Sequence, residues 1–167
     1  MGKRITLVAM LFSCSVLMLA QTEAEIRDRI VGTWKLVSTE QTMKDGTIRP
    51  YPQFGPHGKG FLMYARDGYM CADLVNPDRP KWAEPYHPSR EEGAAAAQGT
   101  FAYCGRYEID AKKGEIVHLP EVAIDPGYVG TRQVRPYTFE DGRLVLSGTE
   151  TQEPGVARWK IIWEKAH

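Results

Sequence analysis

The side chains best suited to chemistry in this chain are one histidine, one arginine, three tyrosines and a cysteine pair. His118 lies mid-strand in Ile116-Val117-His118-Leu119, apolar on both sides. Imidazole titrates near neutrality, so His118 is the best-placed general base; equally, a lone His in such surroundings is more often a satisfied core residue. Arg135 shares an alternation face with Tyr137 and Phe139, which aims its guanidinium inward. An interior Arg must be paired or must meet an anion. The structural reading stacks it on Trp34 or pairs it with a buried Glu, and the functional reading gives it a ligand carboxylate. Tyr64, Tyr103 and Tyr107 offer flat apolar area with a hydroxyl end, fit either for a core or for lining a cavity. If the chain is a catalyst, His118 is its base and Tyr103 or Arg135 stabilises a developing enolate.

Cys71 and Cys104 both fall on the polar parity of their segments. If those segments pair with the two cysteines opposite, an outer-face disulfide can form; otherwise both are small filler. Filler is the preferred reading, because sequence cannot supply the Cβ separation a bridge requires. A catalytic thiolate ranks below either, with no flanking cation or helix N-terminus assured. His57 and His87 lie in loops and His167 is terminal, so no metal site is expected. Gly-x-Ser-x-Gly, phosphate-loop, His-Glu-x-x-His and Cys-x-x-Cys patterns are all absent, and no cofactor is implied.

The elements that must position these residues read as period-2 segments. Strands are expected at about 31–40, 59–66, 69–75, 100–109, 115–124, 130–139, 143–149 and 156–165. Lys44-Asp45-Gly46, Arg66-Asp67-Gly68, Lys113-Gly114 and Glu140-Asp141-Gly142 supply the turns between neighbours. Phe101, Tyr103, Gly105, Tyr107 and Ile109 share the inner face of one strand, and Met70, Ala72 and Leu74 that of another. Gly127-Tyr128-Val129-Gly130-Thr131 reads as a bulge or tight bend at a rim. Glu23 to Arg29 is a short helical lead-in. The Pro-rich stretch 50–56 crosses or lids one end. The connection 76–98 is an irregular arm ending in a short helix capped by Ser89, the candidate mobile lid. The expected fold is therefore all-β: a single up-and-down eight-stranded barrel with a short helix in the 76–98 connection. Gly32-x-Trp34 on the first strand suggests a plug for one barrel end.

Lys3-Arg4, the apolar run from Ile5 to Leu19, and small residues at Thr22 and Ala24 fit a secretory leader. That gives a signal peptide over 1–24, a barrel domain over 25–167, and a periplasmic or secreted location. The cut could fall anywhere between Ala20 and Ala24. A lipoprotein at Cys14 ranks lower, since Phe12 is bulky where a small residue is wanted. After the cut, 19 basic and 20 acidic side chains remain. A charge near −1 without a basic stripe argues against nucleic acid and anionic membrane surfaces as partners. No stable membrane association is expected after cleavage, and the oligomeric state is left open.

In order and spacing these segments resemble the lipocalin-like domain family, a calycin-type group, from about Ile30 to Lys165. The resemblance rests on Gly32-Thr33-Trp34-Lys35-Leu36-Val37-Ser38, Gly58-Lys59-Gly60-Phe61-Leu62-Met63-Tyr64, Asp67-Gly68-Tyr69-Met70 and Phe101-Ala102-Tyr103-Cys104-Gly105-Arg106-Tyr107. It continues through Val117-His118, Gly130-Thr131-Arg132-Gln133-Val134-Arg135 and Trp163-Glu164-Lys165. It implies a barrel whose Trp34 is covered by a basic residue of the last strand, with Lys165 where Arg is more typical. It also implies a calyx for a small apolar molecule. Three functions follow in order of preference. The first is binding a small hydrophobic or amphipathic ligand lined by Tyr64, Tyr103, Tyr107, His118 and Arg135. The second is an envelope scaffold with a filled barrel, and the third a cyclase, isomerase or dehydratase using His118.

Overall fold

A computed structural model describes residues 21–151 and 153–167; the Lys3-Arg4 region, the apolar run and Cys14 lie outside the described residues. The chain opens with α1 (Glu23–Ile30), then β1 (Gly32–Met43), β2 (Ile48–Pro50), β3 (Lys59–Tyr64) and β4 (Tyr69–Val75). After α2 (Arg90–Gln98) come β5 (Thr100–Asp110), β6 (Glu115–Ala123), β7 (Gln133–Glu140), β8 (Arg143–Thr149) and β9 (Val156–Lys165). Each strand pairs antiparallel with its sequence neighbour from β3 onward, and β9 returns to pair with β1. That closure consumes both sheet edges, so eight strands form a barrel. β2 is a three-residue flap that pairs only with the far end of β1.

The expected strands are all present, with two differences. β1 runs on to Met43 and gains the β2 partner, because Lys44-Asp45-Gly46 forms its hairpin turn early enough for both arms to pair. β7 begins at Gln133 rather than 130. Asp125 accepts from Gly127 N–H to cap a 3-10 turn over Pro126–Tyr128, and Thr131 Oγ1 donates to the Tyr128 carbonyl, which holds that stretch out of the ladder. The glycine cluster is thus a tight bend at the rim.

The inner parities match expectation. Met70, Ala72 and Leu74 of β4, and Tyr103, Tyr107 and Ile109 of β5, are buried. One end of the barrel is packed solid. Trp34, Leu62, Tyr64, Leu144 and Trp163 fill it, and α1 lies across it with Ile26 and Ile30 fully buried. Both α1 and α2 start with a reciprocal capping box, Thr22 with Glu25 and Ser89 with Glu92. α2 buries none of its residues.

Cys71 and Cys104 are register partners across β4 and β5, their Cα atoms 4.1 Å apart, and they are bridged. The filler reading is thereby corrected. The register that decides between the two readings comes from strand pairing over the whole barrel, which cysteine spacing does not encode. Among the described residues, no helix is long and apolar enough to cross a membrane.

Candidate functional site

The end opposite α1 is open. The starts of β5, β7 and β9 and the end of β8 diverge around a cavity of about 740 Å³. Its walls include Tyr51, Phe54, Phe101, Tyr128, Arg135 and Trp159. Tyr51 and Phe54 come from the Pro-rich stretch, which covers one side as expected; Gln53 Nε2 donates to the Thr100 carbonyl and ties that segment down. The 76–98 arm contributes nothing to the lining. Arg79 fastens its base, donating from Nε to the Asn76 carbonyl and from a terminal nitrogen to Thr100 Oγ1.

Arg135 is the chemically distinctive residue of this cavity. It is half-buried, and one terminal nitrogen donates to the Tyr128 hydroxyl and to Gln133 Oε1 at 3.4 Å. The other terminal nitrogen donates to the Val134 carbonyl at 3.1 Å, and the Tyr103 hydroxyl lies close enough to influence the guanidinium electrostatically. The guanidinium carbon stands 5.1 Å from the centroid of the Trp159 ring. Burial pulls the Arg135 pKa down, but the Tyr103 and Tyr128 hydroxyls together outweigh it, so the group stays a cation. Of the ion pairs formed among the described residues, none includes Arg135. Asp125, also on the cavity border, spends a carboxylate oxygen on Gly127 N–H.

Trp159 reaches its position because Gly148 is its register partner on β8. A Cβ there would run into Cζ2, Cε2 and Nε1 of the indole, so only glycine lets the ring lie against that strand. On the facing side Tyr128 meets Phe101 and Tyr103 edge-on, both at 5.2 Å between centroids. Arg135 therefore has an indole on one side and a tyrosine-phenylalanine cluster on the other.

Below Arg135 the interior is occupied by a hydrogen-bonded triad. The Tyr103 hydroxyl meets His118 Nδ1 at 2.7 Å, and the Tyr64 hydroxyl meets Nε2 at 2.7 Å. His118 is fully buried; desolvation, and secondarily the Arg135 charge, hold its pKa well below the usual 6.5, so it is neutral. A neutral imidazole has one donor and one acceptor nitrogen. One of the two tyrosines therefore donates to the ring and the other accepts from it, so the whole triad is satisfied. Burial raises both tyrosines above their ordinary 10.0. Tyr64 packs edge-on to Tyr107 at 5.0 Å, and the Tyr107 hydroxyl accepts from Arg27 and donates to the Ala65 carbonyl.

Of the five residues expected to line a ligand cavity, the structure places Arg135 on its wall and Tyr103 directly behind. Tyr64, Tyr107 and His118 belong to the packed layers beneath. Arg135 stacks on Trp159 rather than Trp34 and pairs with no Glu. Tyr128 and Trp159 were missed. Tyr128 sat in a segment read as a bend, and only the Gly148 pairing, invisible without register, turns Trp159 into the cavity. Trp34 and Lys165 are at the closed end, where Lys165 Nζ stands over the Trp34 ring at 4.3 Å. No group of three metal-ligating side chains assembles among the described residues.

A family model described as a lipocalin-like domain matches residues 31–166, which spans the barrel from β1 to the end of β9. The chain belongs to the lipocalin-like domain family. No curated protein matches it. The lipocalin-like barrel has one closed end and one open end, and in this chain the only titratable side chain on the cavity wall that stays positively charged without an acid partner is Arg135, among those described above.

Proposed function

We propose that this lipocalin-like protein is exported and binds one small amphipathic molecule in the open half of its barrel, with Arg135 as polar anchor. The observation that carries the reading is a cation on the cavity wall whose partners are hydroxyls and amides rather than a carboxylate. Such a group favours an anion that arrives with its own apolar body, since the aromatic walls gain by losing water while Arg135 fixes orientation. A cavity of about 740 Å³ is within the range of ordinary ligand sites. The Cys71–Cys104 bridge suits an oxidising compartment and supports export, as does the leader-like N-terminus.

A filled scaffold accounts for the closed half of the barrel and leaves the open half without a role. The catalytic reading requires His118 to reach a substrate, yet both its ring nitrogens are taken by Tyr64 and Tyr103. The test is direct. Native mass spectrometry of the purified protein should show a co-purifying small molecule or, failing that, 1:1 binding of 1-anilinonaphthalene-8-sulfonate. Arg135→Gln should weaken that anionic probe by about tenfold or more, the scale of a lost charge-assisted hydrogen bond. No bound mass and no probe binding would defeat the proposal.

A further inference from the structure

We infer that the ligand class is a compact aromatic carboxylate and not a long-chain acid, an inference that rests on the binding reading above. Three observations converge on it. First, the cavity does not continue past Arg135 into the barrel, since Tyr64, Tyr103 and His118 are buried and absent from its lining. Directly beneath Arg135 the barrel is closed by Tyr103, His118 and Tyr64, joined by two 2.7 Å hydrogen bonds, and beneath them by Trp34, Leu62 and Trp163. An extended alkyl tail with its carboxylate on Arg135 cannot run on into the barrel beneath and is left among the aromatic walls of the mouth. Opening one would break buried hydrogen bonds whose groups would then stand unsatisfied.

Second, the walls are planar. Trp159 is laid flat by Gly148, and Tyr128 and Phe101 face Arg135 from the other side. Tyr51 and Phe54, 5.7 Å apart, add two more rings towards the mouth. Ring systems gain from offset and edge-on contacts beyond their buried area, and an alkyl chain does not. Third, a guanidinium presents a planar fork that meets a carboxylate with two parallel hydrogen bonds. The anchor and the ring-binding surfaces sit side by side, so an acid joined directly to an aromatic ring satisfies both at once. A chain acid satisfies only the first.

The proposal assigns distinct jobs to two residues. Arg135 selects the acid. Trp159, held by Gly148, selects the ring and contributes nothing to the preference for charge. Calorimetric titration of the purified protein with 2-naphthoate, 2-naphthalenemethanol and palmitate separates these jobs. The expected result is 2-naphthoate bound at least about tenfold more tightly than the alcohol, with palmitate weaker than 2-naphthoate. Arg135→Gln should abolish the preference for acid over alcohol. Trp159→Leu should weaken both naphthalene compounds by about threefold to tenfold and leave their ratio unchanged. If Arg135→Gln does not fold, Arg135→Lys keeps the charge without the fork and should give an intermediate preference. Palmitate binding as tightly as 2-naphthoate overturns the ligand class, as does 1-anilinonaphthalene-8-sulfonate binding that neither acid displaces; both leave the calyx itself in place. Failure of that probe to bind at all removes the underlying reading.

Discussion

Trp34 and Lys165 are register partners across the β1–β9 seam, and the ammonium of Lys165 stands 4.3 Å from the centroid of the Trp34 ring. The same ammonium donates to the Arg29 and Val31 carbonyls at the end of α1, at 3.1 and 2.7 Å, while Trp34 Nε1 donates to the Ile30 carbonyl. One cation thus covers an indole, closes a helix C-terminus and sits where the sheet joins itself. Gly32 makes room for it: its φ is +122°, and a Cβ there would press on Lys165 Cε at 3.2 Å.

Lys165→Ala removes a cation–π contact and two helix-terminal hydrogen bonds together. The expected loss is about 1–2 kcal/mol, or a melting temperature lower by roughly 3–8 °C. Lys165→Arg should retain most of the stability, because the guanidinium can cover the ring and reach the same carbonyls. Thermal melts followed by tryptophan fluorescence check both. An alanine variant with unchanged melting would mean that α1 and the seam hold without this residue.

The buried triad makes stability depend on pH. The folded-state pKa of His118 lies well below its ordinary 6.5, so below that pH the unfolded chain takes up a proton that the folded chain refuses. Stability therefore falls as pH drops below about 6.5, with a slope approaching 1.4 kcal/mol per pH unit for one proton, and is fully present above it. The clearly shifted carboxylates, among them Glu25 and Glu140, are held by hydrogen bonds below their ordinary values near 4.5, so the window from 6.5 to about 5 belongs chiefly to the histidine. Denaturant titrations across that window should show the slope in the wild type and a flatter profile in His118→Asn. The asparagine variant will also be less stable overall, by roughly 1–3 kcal/mol, because one tyrosine hydroxyl loses its partner.

The Cys71–Cys104 bridge closes a segment with a sequence separation of 33 that contains the whole 76–98 arm. Removing it with the double variant Cys71→Ser, Cys104→Ser should cost about 2–4 kcal/mol in denaturant unfolding. Thiol titration of the oxidised, unfolded wild type should find neither cysteine free. Two free thiols in protein isolated under non-reducing conditions would overturn the bridge.

Alternation made most of this barrel legible. The inner faces of β4, β5 and β7 follow directly from residue parity, and the turns follow from Asp-Gly and Lys-Gly placements whose backbone demands are local. The bridge and the cavity wall were not legible in the same way. Both depend on which residue stands opposite which, Cys71 against Cys104 and Gly148 against Trp159, and register is a property of the closed sheet rather than of any one strand. His118 shows the same limit from another side. Its apolar neighbours announced burial, but only the positions of Tyr64 and Tyr103 on two other strands turn a candidate base into the centre of a satisfied triad.

The capping of α1 bears on where the leader of the proposed exported form would end. Thr22 accepts from Glu25 N–H, and the Glu25 carboxylate accepts from Thr22 N–H at 2.7 Å, so the helix begins with a complete capping box. A cut after Ala24 would discard Thr22 and leave Glu25 as the first residue, with Ile26 close to a fraying terminus although its side chain is fully buried under the barrel. Arg27, which donates to the Tyr107 hydroxyl at 3.1 Å, would sit on the same loosened turn. A cut after Ala20 preserves every one of these contacts. If the chain is exported as proposed, the mature protein is therefore expected to begin at Gln21, which N-terminal sequencing of the protein recovered from the periplasm or medium reads directly. A chain starting at Glu25 should be less stable than one starting at Gln21 by about 1 kcal/mol, the usual cost of a lost N-cap, and Thr22→Ala in the longer form should reproduce most of that loss. If instead the exported protein begins at Glu25 and matches the longer form in stability, the capping box contributes nothing, and α1 is held by Ile26, Ile30 and Lys165 alone.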